Sequence, residues 1–176
     1  MNFFATICRS GRYYVLSLFI ELESEKIQRF KGAEDTTLED MREDELFALE
    51  KGYLEKGKRY YKIETEMNDH NLLQKALTHY GATVTEADEF HVVAVVGDIK
   101  MTFYKEESEP FRAFFEQQVD VVDAEQFVQS LITEYLDLVR QVTYEMLINR
   151  AQEEGLVLET EQRRDKKIAL TFIVEE

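Results

Sequence analysis

His91-Val92-Val93-Ala94-Val95-Val96-Gly97-Asp98-Ile99-Lys100-Met101-Thr102-Phe103-Tyr104 is the stretch that decides the fold class. Two runs of β-branched and aromatic residues flank a Gly-Asp pair. Glycine tolerates the positive φ that a two-residue hairpin turn imposes, and the flanking residues suit a pleated surface. The segment therefore reads as two antiparallel strands, 91–96 and 99–104. Residues 82–86 form a further strand before it. Downstream, Glu106 to Pro110 is a turn, and residues 111–116 give another strand, with Pro110 at its start or at a sheet edge.

Working outward, residues 58–67 alternate, with Tyr60, Lys62, Glu64 and Glu66 set against Tyr61, Ile63, Thr65 and Met67. That is a strand with one wet face. Asn68 or Asp69 can then cap a helix whose apolar face is Leu72, Leu73, Ala76, Leu77 and Tyr80, ended by Gly81. Asp123 opens the longest element, with Gln126 three residues on in a capping-box arrangement. This helix runs over 123–154 and stops at Gly155. Its stripe is Phe127, Leu131, Tyr135, Leu138, Val142 and Met146, widened by Val128, Ile132, Leu136, Val139 and Leu147. A helix so apolar packs on more than one side or meets a second copy of itself. The chain closes with a hairpin, residues 156–161 and 168–174 about a turn at Arg163 to Lys166.

At the other end, residues 3–8, then Ser10-Gly11, then residues 13–20 read as two strands and a tight turn, the second buried on both faces, with a short buried helix as the alternative for that run. Thr37 caps a helix with apolar residues Leu38, Met41, Leu46, Leu49 and Tyr53, weakened by Gly52 and ended by Gly57. The fold class expected is α+β: an antiparallel sheet of about five to seven strands packed against one long helix (123–154) and two shorter helices. Residues 1–57 form an N-terminal strand–helix arm, and residues 58–176 form the main α+β unit.

Of the 176 residues, 44% are hydrophobic and 12% aromatic, enough to bury a core at this length. The net charge is −15, from 21 basic and 36 acidic residues. It is uneven: residues 1–58 carry −3 and residues 59–176 carry −12. Nucleic-acid affinity comes largely from neutralised phosphates, so direct binding to nucleic acid is disfavoured, as is an anionic membrane surface. The longest apolar run, Tyr13 to Ile20, is far short of a membrane span and lacks the flanks of a signal peptide. Cys8 is the single cysteine, which excludes an intrachain disulfide and fits a reducing compartment. A cytoplasmic location is expected.

From about Lys58 onward a resemblance emerges. Thr65-Glu66-Met67-Asn68-Asp69 leads into Leu72-Leu73-Gln74-Lys75-Ala76-Leu77 and Tyr80-Gly81. Far downstream, Glu153-Glu154-Gly155-Leu156-Val157-Leu158-Glu159-Thr160-Glu161 precedes a polar turn and Ile168-Ala169-Leu170-Thr171-Phe172-Ile173-Val174. This resembles the domain-of-unknown-function 1257 family of small chloroplast, cyanobacterial, bacterial and phage proteins, over about two thirds of the chain. Tyr144 sits where one tyrosine of the family's long-helix cluster falls, and Val142 stands at the other. Some 58 residues precede the point where the family's opening strand begins. The resemblance implies a bacterial or phage origin and an accessory role, with an AAA-type ATPase as partner.

No phosphate-binding glycine loop, nucleophile elbow or metalloprotease helix occurs in the sequence. His70 and His79 lie nine residues apart on one helix and point to opposite sides, so they do not share a metal. No cofactor, metal or catalytic residue is assigned. Glu64, Glu66 and His91 are the candidates for an enzyme with a cryptic carboxylate site. Glu159 and Glu161 fall on one hairpin face by strict alternation. Residues 101–162 carry 14 acidic against 4 basic groups, which suits an acidic inhibitor or nucleic-acid mimic of a basic partner. Arg163-Arg164 and Lys166-Lys167 form the basic cluster. The aromatic surplus, with adjacent pairs Tyr13-Tyr14, Tyr60-Tyr61 and Phe114-Phe115, points elsewhere. Neighbours on a strand face opposite sides, so some rings face away from their partner's core. The functional expectation is a non-enzymatic accessory protein that acts through contact with a partner protein or with itself. Its candidate contact residues are Tyr13, Tyr60, Phe114, Tyr135, Tyr144, Arg163 and Arg164.

Overall fold

The structure is a computed structural model. It describes residues 2–10, 13–21, 52, 54–55, 58, 60–116, 118–164 and 167–174, with backbone alone at 2–10, 13–21, 164, 167 and 174. The strands are β1 (Asn2–Ser10), β2 (Tyr13–Glu21), β3 (Tyr60–Glu64), β4 (Thr83–Ala87), β5 (His91–Val96), β6 (Ile99–Tyr104), β7 (Arg112–Glu116), β8 (Leu156–Arg164) and β9 (Lys167–Val174). The helices are α1 (His70–His79) and α2 (Val121–Glu153). The fold class is α+β with antiparallel strands and a long helix. The nine strands among the described residues divide into two sheets rather than the single sheet expected, in the orders β3-β7-β6-β5-β4 and β1-β2-β9-β8. The expected helix from Thr37 lies outside the described residues. Contacts gather into two units, Arg29–Val139 and Met1–Gln28 with Arg140–Glu176, and the chain passes from one to the other within α2.

The unit of residues 29–139 is built on the five-stranded sheet. The hairpin β5–β6 turns at Gly97 (φ 58°), and Val96 pairs with Ile99 across the two-residue loop. One face of the sheet, with Ile63, Val92, Ala94, Met101, Phe103, Ala113 and Phe115, packs against Leu73, Ala76 and Leu77 of α1. The same core takes in Ala124, Val128, Leu131 and Tyr135 of α2. Burying a large apolar side chain stabilises by ~1.5–3 kcal/mol, so this layer dominates the unit's stability.

The opposite face is buried too. Tyr60, Tyr104 and Phe114 cluster there with Leu54. This narrows the reading of residues 58–67 as a strand with one wet face: Glu64 and Glu66 are exposed as expected, but Tyr60 is buried and the Lys62 side chain keeps only 6% of its exposure. Alternation of polar and apolar types marks two faces, but it does not say that the polar one meets water. A lysine stem and a tyrosine ring both cover apolar surface well.

Caps set the helix starts. Asp69 accepts hydrogen bonds from the backbone N–H groups of Asn71 (2.8 Å) and Leu72 (3.0 Å) at the head of α1. The long helix starts at Val121 rather than at 123. Asp120 caps it by accepting from the N–H groups of Val122 (2.8 Å) and Asp123 (3.4 Å), one turn earlier than the Asp123 box expected. Gly155, at φ 72°, ends it in the left-handed conformation that favours glycine.

In the other unit, Tyr144, Ile148 and Ala151 follow one another at helical spacing on α2. They pack against Leu156 and Leu158 of β8 and Ile168, Leu170 and Phe172 of β9. Strand β2 pairs antiparallel with β9, so the chain's first hairpin and its last share one sheet.

Candidate functional site

In the unit of residues 1–28 and 140–176, the two faces of the sheet differ. On the helix side, Leu170 and Phe172 are 1% and 2% exposed. On the other side, Ala169, Thr171 and Ile173 are only half-buried, and Val157 is 42% exposed. Register carries the rows of that side onto β2 and β1. Phe4, Phe19, Ala169 and Gln162 form one cross-strand row. The adjoining row is Thr6, Ser17, Thr171 and Thr160, four hydroxyl-bearing residues abreast.

A bulge shapes the helix side. Leu158 stands opposite Phe172 and Thr160 opposite Thr171, so Glu159 is an extra residue in β8. The insertion reverses the parity of the strand. Glu161 and Arg163 therefore stand opposite Leu170 and Ile168, on the helix side, together with Leu156 and Leu158. There the Tyr144 hydroxyl donates to Glu161 Oε2 at 2.7 Å, and Arg163 pairs with Glu161 Oε1. The Arg163 guanidinium lies over the Tyr144 ring, 5.7 Å from its centroid. The phenol proton bound to Glu161 raises the Tyr144 pKa and, with Arg163, lowers that of the carboxylate. The same bulge breaks the alternation that would set Glu159 and Glu161 on one face.

The structure thus joins two residues singled out separately in the sequence, Tyr144 and Arg163, through a third, Glu161. The sequence marks Glu161 only as a neighbour of Glu159 on one hairpin face, not as a partner of Tyr144 or Arg163. Tyr60, Phe114 and Tyr135 are buried, at 7%, 2% and 6% exposure. The Tyr135 hydroxyl accepts from the backbone N–H groups of Asn68 (3.1 Å) and Asp69 (2.9 Å), fixing the loop that enters α1. Tyr13 and Arg164 lie on β2 and β8, with side chains outside the described residues.

The enzyme candidates are arranged differently. Glu64, Arg112, Tyr104 and His91 form one cross-strand row on the second buried face of the five-stranded sheet. Arg112 Nε donates to Glu64 Oε2 at 3.2 Å, and Arg112 also pairs with Glu109. Glu66 is exposed beyond β3 and joins no such row. Glu64 and His91 are held with two strands between them, which place Arg112 and Tyr104 in the gap. Among the described residues no three of His, Cys, Asp and Glu converge as metal ligands, and no helix is long and apolar enough to cross a membrane.

His91 is 5% exposed, and burial holds its imidazole below the ordinary titration range, opposed in part by Asp88 and Glu86. As pH drops, the unfolded chain therefore takes up this proton first. Stability is expected to be complete above the ordinary histidine pKa of 6.5 and to decline below it until the folded imidazole is protonated as well. Urea unfolding at pH about 7.5 and about 5.5 checks this, and the acid loss should shrink in His91→Gln. No family model, no curated protein and no solved structure matches the chain.

Proposed function

We propose that the protein is a non-enzymatic accessory protein that works through protein–protein contact and associates with itself. The observation that carries this reading is the two-faced sheet of residues 1–28 and 140–176. One side is packed against α2, while the other leaves Val157 exposed and Ala169, Thr171 and Ile173 half-buried. An apolar sheet face is stable when another layer covers it. The five-stranded sheet, by contrast, has large apolar residues buried on both faces. The Tyr144–Glu161–Arg163 cluster acts here as a brace that fixes β8 on the helix, leaving the far side of the sheet for contact. Where the partner is another protein, the family resemblance favours an AAA-type ATPase.

The test uses a charge placed on the open side. The tagged chain is expected to recover itself or a partner in near-stoichiometric amount from native cells. Val157→Glu should lose most of the recovered partner with circular dichroism unchanged. Equal recovery by the wild type and the variant, or none by either, would contradict the reading.

A further inference from the structure

The ends of the two sheets differ in how they are finished. An edge strand presents unpaired N–H and C=O groups, and proteins guard such edges with short strands, bulges and charge. Edges β3 and β4 are five residues each, and β4 also bulges between Val84 and Glu86. Edge β8 carries the Glu159 bulge and the charged residues Glu159, Glu161, Arg163 and Arg164. Edge β1 has none of these guards. It is nine residues of Asn-Phe-Phe-Ala-Thr-Ile-Cys-Arg-Ser in unbroken register with β2, and Arg9 is its one charged residue. Among the described residues, β2 is its sole strand neighbour.

From this asymmetry we propose that β1 is the seam of a symmetric dimer. Two copies pair β1 with β1 antiparallel and join two four-stranded sheets into one of eight strands. This rests on the contact reading above and names its partner as a second copy of the chain.

Charge favours that occupant at this edge. A chain of net charge −15 repels its own copy, but residues 2–21 hold two arginines and one glutamate, so the approach is opposed less here than the whole-chain charge implies. Geometry favours closure. An unguarded β1 against a guarded β8 would propagate an open filament, and the bulge and charges of β8 block that pairing. The two-fold β1–β1 pairing closes on itself. Full overlap of the nine residues puts the two-fold axis at Thr6, with Asn2 opposite Ser10 of the partner subunit. The row Thr160-Thr171-Ser17-Thr6 then continues through Thr6 of the partner subunit, so two threonine positions stand opposite each other across the seam.

Light scattering over the micromolar range is expected to give twice the 20.8 kDa chain mass. In an antiparallel ladder the N–H groups of adjacent residues point to opposite neighbours, so one of Ala5 and Thr6 directs its N–H away from β2. Proline at that residue should leave the fold intact by circular dichroism and halve the mass, while its neighbour's substitution should disturb the β1–β2 hairpin. Independently of folding losses, Thr6→Cys in a Cys8→Ser background should form a disulfide-linked dimer under oxidised glutathione, because directly opposed positions lie within disulfide reach. The wild-type Cys8 residues, four positions apart along the strand at ~13 Å, should not cross-link. A wild-type monomer, two folded proline variants that stay dimeric, or failure of the Thr6→Cys link would overturn the proposal. If the chain is monomeric yet Val157→Glu still abolishes partner recovery, the seam falls and the contact reading stands.

Discussion

Phe114→Ala is expected to destabilise the protein by about 3–5 kcal/mol. Phe114 is 2% exposed and packs with Leu54, Tyr60 and Tyr104 on the second face of the five-stranded sheet. Truncation removes the ring's transfer free energy and leaves a cavity between β7 and its neighbours. Its cross-strand partners, Lys62 on β3 and Thr102 on β6, bring polar groups, so the site cannot refill with apolar atoms. A loss this large is a sizeable fraction of a domain's total stability of about 5–15 kcal/mol. Urea unfolding reads it as a shift of midpoint at constant slope. A loss under about 1 kcal/mol would mean that Phe114 is a surface residue free to meet a partner, against the burial described above.

Tyr135→Phe is the second large effect, at about 2 kcal/mol. The change keeps the ring and deletes one oxygen. That oxygen accepts from two consecutive backbone N–H groups, at Asn68 and Asp69. Asp69 is also the cap of α1, so the same loop carries the helix start. Removing the acceptor leaves two donors partly buried without a partner, which costs more than a single exposed hydrogen bond. Hydrogen exchange should quicken in the first turn of α1 while β5 and β6 keep their protection. Unchanged stability and exchange would show that water replaces the phenol there without loss.

The parts of the fold legible in the sequence are those set by neighbours along the chain. The β5–β6 hairpin declares itself through Gly97 and its β-branched flanks, and α1 through Asp69, one apolar face and Gly81. The long helix is written in its stripe. Its start slips to Val121 because Asp120 and Asp123 are both competent caps, and composition does not choose between them. What the sequence hides is non-local. The division into two sheets depends on β2 meeting β9, a pairing between segments at opposite ends of the chain, and no periodicity encodes which strands meet. The contact between Tyr144 and Glu161 depends on the extra residue at Glu159. Without that bulge, alternation would send Glu161 to the other side of the sheet. The buried face of β3 misleads for a related reason, since Lys62 looks solvent-seeking but lies on a face that other residues cover.

Sizing the chain in a native extract tests the central claim most directly. If the open side of the β1-β2-β9-β8 sheet is a contact surface, the wild-type chain should migrate well above twice its own 20.8 kDa, and Val157→Glu should migrate no higher than the dimer joined at β1. Wild type and variant both running at the mass of one chain would contradict it.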